Sequence, residues 1–233
     1  MHKYKDFTIK NVKITTLWSF SQVFSQVFDI ICPCKCAGCG KIGTALCECC
    51  KKYLAQSNAI FREKTGVTEG ILVAGMKAGL LEKMTKEFKY NSKRHLARPL
   101  AEILNEVLPK GDYVIVPLPT IDKHIRQRGF DHMKLMGMEL AKLRGCEVRM
   151  LLKRVNSTVQ VGATREKRLT QMAEAYMVDG AVDARRKYLL IDDVATTGAS
   201  LKAAEEVLRK AGAKKIEKAV LITSAVDEDL EDK

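Results

Sequence analysis

Apolar positions recur along the chain with two periods. Leu17, Phe20, Phe24, Val27, Phe28 and Ile31 fall at helical spacing, which predicts an amphipathic helix over residues 17–31. Its apolar face suits the protein's own core or a partner, with a membrane surface as the alternative. Downstream, a short strand is expected over 69–74 and helices over about 78–90 and 93–108. The second helix carries Leu96, Leu100, Ile103, Leu104 and Val107 on one face. Tyr113 to Val116 reads as a buried strand stopped by Pro117-Leu118-Pro119. A basic loop follows, then a helix over 131–144, a strand over 148–152, a helix over 164–173 and a short strand over 175–178. Lys187 to Ile191 is expected as a strand, 199–211 as a helix and 215–223 as the last strand. Strands alternating with helices predict an α/β fold, a mostly parallel twisted sheet flanked by helices. In such a sheet, ligands sit at the carboxyl ends of the strands.

Composition excludes some classes and charge favours others. The chain has 233 residues, of which 46% are apolar and 29% charged, so it is neither disordered nor fibrous. That length fits one large domain, or one domain plus a small module. A net charge of +12 favours a polyanionic partner: nucleic acid, nucleotide phosphates or an acidic membrane. The charge is regional. Residues 1–55 carry 8 basic and 3 acidic groups, residues 121–168 carry 12 and 5, and residues 181–233 carry 10 and 11.

Seven of the eight cysteines lie between residues 32 and 50, and Cys146 stands apart as an expected core residue. A disulfide scaffold would spread its cysteines, whereas a tight cluster in a long chain reads as a metal site in a reducing compartment. Cys36-x-x-Cys39 and Cys47-x-x-Cys50 are two knuckles with seven residues between them, the spacing of a closed, structural, four-cysteine zinc site. Cys32, Cys34 and Cys49 are spare, and Cys34 or Cys49 could substitute as a ligand. Residues 17–31 follow a basic segment, as in a secretory leader. However, Ser19, Ser21, Gln22, Ser25, Gln26 and Asp29 interrupt the apolar run, and no small-residue cleavage site follows. The stretch is also too short and polar to span a bilayer, so a cytoplasmic location is expected.

Gly38-x-Gly40-x-x-Gly43 matches a dinucleotide fingerprint, but it lacks the strand before and the helix after that the motif requires. No GxxxxGK[ST] run is present. The richest segment is Tyr188 to Ser200, where an apolar strand ends at Asp192-Asp193 and passes through Ala195, Thr196, Thr197, Gly198, Ala199 and Ser200 into a helix. Loop amides, hydroxyls and a helix N-terminus suit a phosphate dianion. The two carboxylates at the strand end can accept hydrogen bonds from vicinal sugar hydroxyls. Together they describe a ribose-5-phosphate pocket. Paired aspartates after a strand also occur in receiver domains and metal hydrolases, whose loops lack this run.

This segment resembles the phosphoribosyl-diphosphate signature of type I phosphoribosyltransferases. The rest of the chain narrows the resemblance to the ComF family, ComFC-like competence proteins in which a four-cysteine zinc knuckle is fused to a phosphoribosyltransferase domain. The matching residues are Cys36-Ala-Gly-Cys39 with Leu46-Cys47-Glu-Cys-Cys50, Lys93-Arg94-His95-Leu96-Ala97, Val116-Pro117-Leu118-Pro119, Arg126-Gln-Arg128-Gly129-Phe130 and Ile191-Asp192-Asp193-Val-Ala-Thr-Thr-Gly198. They cover most of residues 30–223 in the family's order. The family's RGFNQ stands here as Arg128-Gly129-Phe130-Asp131-His132, and its later Q…ER…N pattern as Gln160, Lys167-Arg168 and Gln171. These departures fall where a base or partner could be recognised.

The resemblance implies a site for phosphoribosyl diphosphate and Mg2+, with structural Zn2+ on Cys36, Cys39, Cys47 and Cys50. Asp192 and Asp193 would hold the ribose, with Asp193 a candidate general base. The 195–200 turn would hold the 5-phosphate, Pro117, Leu118 and Pro119 would form the diphosphate loop, and Arg126 and Arg128 would be diphosphate ligands, since guanidinium forks suit phosphate oxygens. His95 and His132 are expected to be packing or solvent residues. Lys93, Arg94 and Arg98 form a basic stripe that could meet phosphate or single-stranded DNA, and Phe88, Tyr90 and Phe130 lie beside basic residues. The expected organisation is an N-terminal segment over 1–31, the cysteine module over 32–55, the transferase-like domain over 56–226 and an acidic tail over 227–233. Two functional classes follow. One is a phosphoribosyltransferase linked to natural competence and DNA uptake. The other is a non-catalytic single-stranded-DNA-binding or nucleotide-sensing competence factor on the same fold, with competence-machinery proteins as partners.

Overall fold

The computed structural model describes residues 34–65, 67–68, 70–155 and 175–224. The expected helices over 17–31 and 164–173, the tail over 227–233, Cys32, and Gln160, Lys167, Arg168 and Gln171 lie outside the described residues.

The elements run α1 Glu48–Thr65, β1 Val67–Thr68, β2 Ile71–Met76, α2 Gly79–Tyr90, a 3-10 turn Arg94–Leu96, α3 Ala97–Asn105, β3 Val114–Pro117, α4 Asp122–Arg128, α5 His132–Arg144, β4 Glu147–Val148, β5 Leu152–Arg154, β6 Tyr176–Val178, β7 Lys187–Ala195, α6 Ala199–Lys210 and β8 Lys215–Thr223. Six strands form one sheet in the order β1-β2-β8-β7-β3-β4, parallel throughout except for the β1–β2 hairpin pair. β5 and β6 pair antiparallel as a separate ribbon. The α/β prediction holds.

The central strands are buried on both faces, so their sequences are continuous apolar runs and not alternating ones. Val114 to Pro117 are all buried, as are Tyr188 to Ile191. One face of the sheet carries a core built from Leu54 of α1, Leu81, Met84 and Phe88 of α2, Leu100 and Leu104 of α3, and Met136 and Leu140 of α5. The other face packs Leu201, Ala204 and Leu208 of α6 and Tyr176 of the ribbon against Val73, Val116, Leu190 and Val220.

Several boundaries move. The single strand expected over 148–152 is two short ones, β4 and β5, belonging to different sheets. The expected basic loop contains α4, closed by Gly129 at φ 75°, whose N–H bonds the Ile125 carbonyl at 2.8 Å. A helix also begins inside the second cysteine knuckle, at Glu48. Most consequential for the site, β7 continues four residues past Ile191, the end expected for it.

That overhang makes the cleft. β3 ends at Pro117, paired with Ile191, and beyond it β7 pairs with β8 alone, from Asp192–Val220 to Ala195–Thr223. β3 leads through α4 and α5 to β4 on one side, while β7 leads through α6 to β8 on the other. The order therefore reverses between β3 and β7, the place where open α/β sheets bind ligands.

Candidate functional site

A cleft of about 500 Å3 opens at the carboxyl ends of β3 and β7. Of the residues singled out in the sequence, Leu118, Pro119, Arg128, Asp192, Asp193, Thr196 and Ser200 line it. Pro117 and Ala195 are buried, Thr197 is exposed in the turn, and Gly198 and Ala199 shape the backbone into α6. Arg126 is exposed and is not among the cleft-lining residues. The cleft also gathers residues that carried no predicted pocket role: Lys89, Tyr90, Thr120, His124, His132, Arg154 and Tyr176.

The two aspartates face opposite sides of the sheet because successive side chains on a strand alternate. Asp193 is 3% exposed, and its Oδ2 takes both Lys89 Nζ at 2.6 Å and His132 Nε2 at 3.1 Å. Burial alone would raise its pKa, but the His132 hydrogen bond and the Lys89 charge outweigh burial and hold the carboxyl below the ordinary range. Asp192 lies on the ribbon side, where its Oδ1 accepts the Asp193 N–H at 2.9 Å. Desolvation, then the Asp193 charge beside it, pushes the Asp192 carboxyl up. Among the described residues no cation lies within ion-pair distance of Asp192. A largely desolvated carboxyl with no cation beside it among the described residues is one that a hard cation or sugar hydroxyls would satisfy, so the position fits Mg2+.

After Ala195 the chain turns through Gly198 at φ 66°, where an added Cβ would lie 2.8 Å from Ile71 Cδ1. The left-handed backbone favours glycine there, and a side chain would also have to displace the end of Ile71. No side chain caps α6 and no acidic residue sits in its first turn. The first amides of a helix have no intrahelical partner, so this turn offers donors to an anion.

The opposite wall is cationic and built from the α4–α5 elbow. His132, expected to be a packing or solvent residue, is buried against Phe88 and is also bonded to Asp193. Arg128, 9% exposed, places NH1 3.1 Å from His132 Nδ1 and NH2 3.4 Å from His124 Nδ1, with its guanidinium 5.3 Å from the Tyr90 ring centroid. Among the described residues no carboxylate pairs with it. The elbow is pinned from the segment that follows α2. Ser92, the one non-glycine residue with positive φ (55°) among those described, donates to the Arg128 carbonyl at 3.1 Å, and Arg94 NH2 donates to the Gly129 carbonyl at 2.5 Å.

The basic stripe is therefore occupied. Lys93 pairs with Glu87 at 3.1 Å, Arg98 pairs with Glu102 at 3.0 Å, and Arg94 also stacks on Phe130 at 4.9 Å. Phe88 is buried in the core, and Tyr90, 63% exposed, is the open aromatic of the three.

The second chemical centre is the knuckle. The Sγ atoms of Cys36, Cys39, Cys47 and Cys50 lie within 4.8 Å of one another, and Cys39 and Cys47 are 3.6 Å apart. Tetrahedral Zn–S bonds of about 2.3 Å place sulfurs roughly 3.8 Å apart, so the four can share one zinc ion. Cys34 and Cys49 are outside the group. Gly38 lets the knuckle close, since a Cβ there would fall 2.6 Å from Cys50 Sγ. Lys83 of α2 donates to the Ala37 carbonyl at 2.7 Å, and Lys51 of α1 pairs with Glu102 of α3 at 3.1 Å, tying the knuckle to the larger domain.

The model of the phosphoribosyl transferase domain family matches residues 138–233. The chain is 26% identical over 194 residues to competence protein ComFC of Streptococcus pneumoniae, covering 78% of this chain and 84% of that one. The chain is thus similar to ComFC over most of its length, and its C-terminal part matches the phosphoribosyl transferase domain. Among solved structures, this ComFC-like chain is similar to glutamine phosphoribosylpyrophosphate amidotransferase from B. subtilis at 15% identity and TM-score 0.43, with 58% of this chain matched. It spans only 30% of that enzyme's length. It is also similar to purine phosphoribosyltransferase from Pyrococcus horikoshii at 19% identity and TM-score 0.33, with 60% of this chain and 81% of that one matched. No helix among the described residues is long and apolar enough to cross a membrane.

Proposed function

We propose that the cleft binds phosphoribosyl diphosphate with Mg2+ and supports phosphoribosyl transfer to a nitrogenous acceptor. The observation that carries this reading is the pairing of opposite chemistries across one cleft. An uncapped helix turn and the Asp192 carboxyl form one wall, and a buried guanidinium with no carboxylate partner among the described residues forms the other. In the transfer, the bond from the sugar C1 to the diphosphate oxygen breaks, the diphosphate keeps the electron pair, and the acceptor nitrogen forms the new bond to C1. The residues divide the work. The amides and hydroxyls of the 196–200 turn hold the 5-phosphate. Asp192 orients the ribose hydroxyls and is placed to hold Mg2+, while Asp193, bonded to Lys89 and His132, fixes the cationic wall. Arg128, with Lys89 beside it, faces the departing charge in a partly dewatered cleft, where fixed cations act most strongly. Mg2+, when bound, shares the neutralisation of the diphosphate. Arg126, exposed in this structure, is the weaker of the two predicted arginine ligands.

The resemblance to a competence protein extends this reading to a role in DNA uptake. A site for single-stranded DNA has less physical support on the described surface, because Lys93, Arg94 and Arg98 are engaged internally. Thermal denaturation with and without phosphoribosyl diphosphate and Mg2+ tests the assignment. A rise in Tm that needs both is expected, and no rise at saturating concentrations of both would refute it.

A further inference from the structure

We propose that His132 is a positioning residue, a neutral spacer that keeps Arg128 and Asp193 hydrogen-bonded through its ring but unpaired with each other. A guanidinium has donors and no acceptor. With Arg128 NH1 3.1 Å from His132 Nδ1, that nitrogen offers a lone pair. The neutral ring then carries its proton on Nε2, and Nε2–H donates to Asp193 Oδ2 at 3.1 Å. Thr120 Oγ1 donates to Asp131 Oδ1 at 3.0 Å, since a carboxylate only accepts, and lies 3.3 Å from the same Nδ1, so of these two neighbours Arg128 is the donor to that nitrogen. Asp131 also caps α5 by accepting the Lys134 N–H at 3.1 Å, which fixes the start of the helix that carries His132.

The imidazole thus separates a buried cation from a buried anion. Opposite charges in a low-dielectric pocket attract strongly, and the His132 ring hydrogen-bonds both of them. Were Arg128 to close on Asp193, the cleft would lose the Arg128 cation from its wall and Asp193 would lose the geometry set by Lys89. A small residue at 132 permits that collapse. Glutamine does not, because its amide also supplies one acceptor and one donor.

Only the binding half of the test rests on the diphosphate reading of the cleft. Nitrogen-detected NMR of the zinc-loaded full chain reads the tautomer with no ligand present. The neutral Nε2–H form of His132 near neutral pH supports the spacer, and an Nδ1–H form or a doubly protonated ring overturns it. Calorimetry with inorganic diphosphate then compares wild type, His132→Ala and His132→Gln. Loss of a hydrogen bond to a charged group predicts about ten-fold or more weakening in His132→Ala. His132→Gln should stay within about three-fold of wild type. Equal affinity in both variants, weak or strong, overturns the proposal. If His132→Ala fails to fold, the glutamine variant and the tautomer decide. Absence of diphosphate binding by wild type would count against the proposed function and leave the tautomer result standing.

Discussion

Lys89 Nζ lies 2.6 Å from Asp193 Oδ2, while Asp192, the residue before it on β7, has no cation within ion-pair distance among the described residues. Strand alternation thus gives two neighbouring carboxyls opposite environments. One is held ionised by Lys89 and His132, and the other is driven toward its neutral form.

The first prediction concerns pH. The Asp192 carboxyl is raised from 3.8 to about 7, chiefly by desolvation and then by the Asp193 charge. Between those values the folded chain holds a proton that the unfolded chain has released, so this group makes stability fall as pH rises through the window. Asp193, lowered to about 2, acts in the opposite sense, and its contribution is lost as pH falls from 3.8 toward 2. Urea denaturation at about pH 5 and about pH 8 should show a drop for wild type that shrinks in Asp192→Asn. An unchanged drop would remove Asp192 as its source.

Lys89→Met takes away the closer partner of a buried carboxylate. A destabilisation of about 1–3 kcal/mol is expected, with His132 left as the remaining partner. Thermal denaturation measures it, and a stability equal to wild type would mean that the Lys89–Asp193 contact contributes nothing.

Gly137 is where α5 crosses the end of β3, and an added Cβ would lie 2.6 Å from Pro117 Cγ and 3.3 Å from Val148 Cγ2. Helix propensity favours alanine by about 1 kcal/mol, and overpacking opposes it by about 1–3 kcal/mol. Gly137→Ala should therefore be destabilising despite lying in a helix. A stabilised variant would show that α5 can move away from the proposed diphosphate loop at no cost.

For the knuckle, Cys36→Ser should lower bound zinc below about one per chain and lower Tm, while Cys49→Ser should do neither. Elemental analysis of the purified variants checks this. Loss of zinc in Cys49→Ser would reassign a ligand.

The knuckle and the Asp192–Ser200 run were legible because local spacing alone defines them. The α/β class was legible because buried parallel strands read as unbroken apolar runs. The rest depends on tertiary placement. α4 carries Ile125 as its one large apolar residue, so no periodicity announces it, and its end is set by Gly129. Lys89 in the sequence is indistinguishable from an ordinary basic residue in the last turn of a helix. His132 acquires its role from Asp193, 61 positions away. The Asp131-His132 departure from the family pattern was the available signal. It marked the elbow without showing that one residue caps α5 and the other reaches Asp193.

The most direct test is calorimetric titration of the zinc-loaded full chain with phosphoribosyl diphosphate and Mg2+, repeated on Asp192→Asn/Asp193→Asn. The account predicts saturable Mg2+-dependent binding by wild type and a loss of at least about ten-fold in the double variant. No binding by wild type, or equal binding by both proteins, would contradict it.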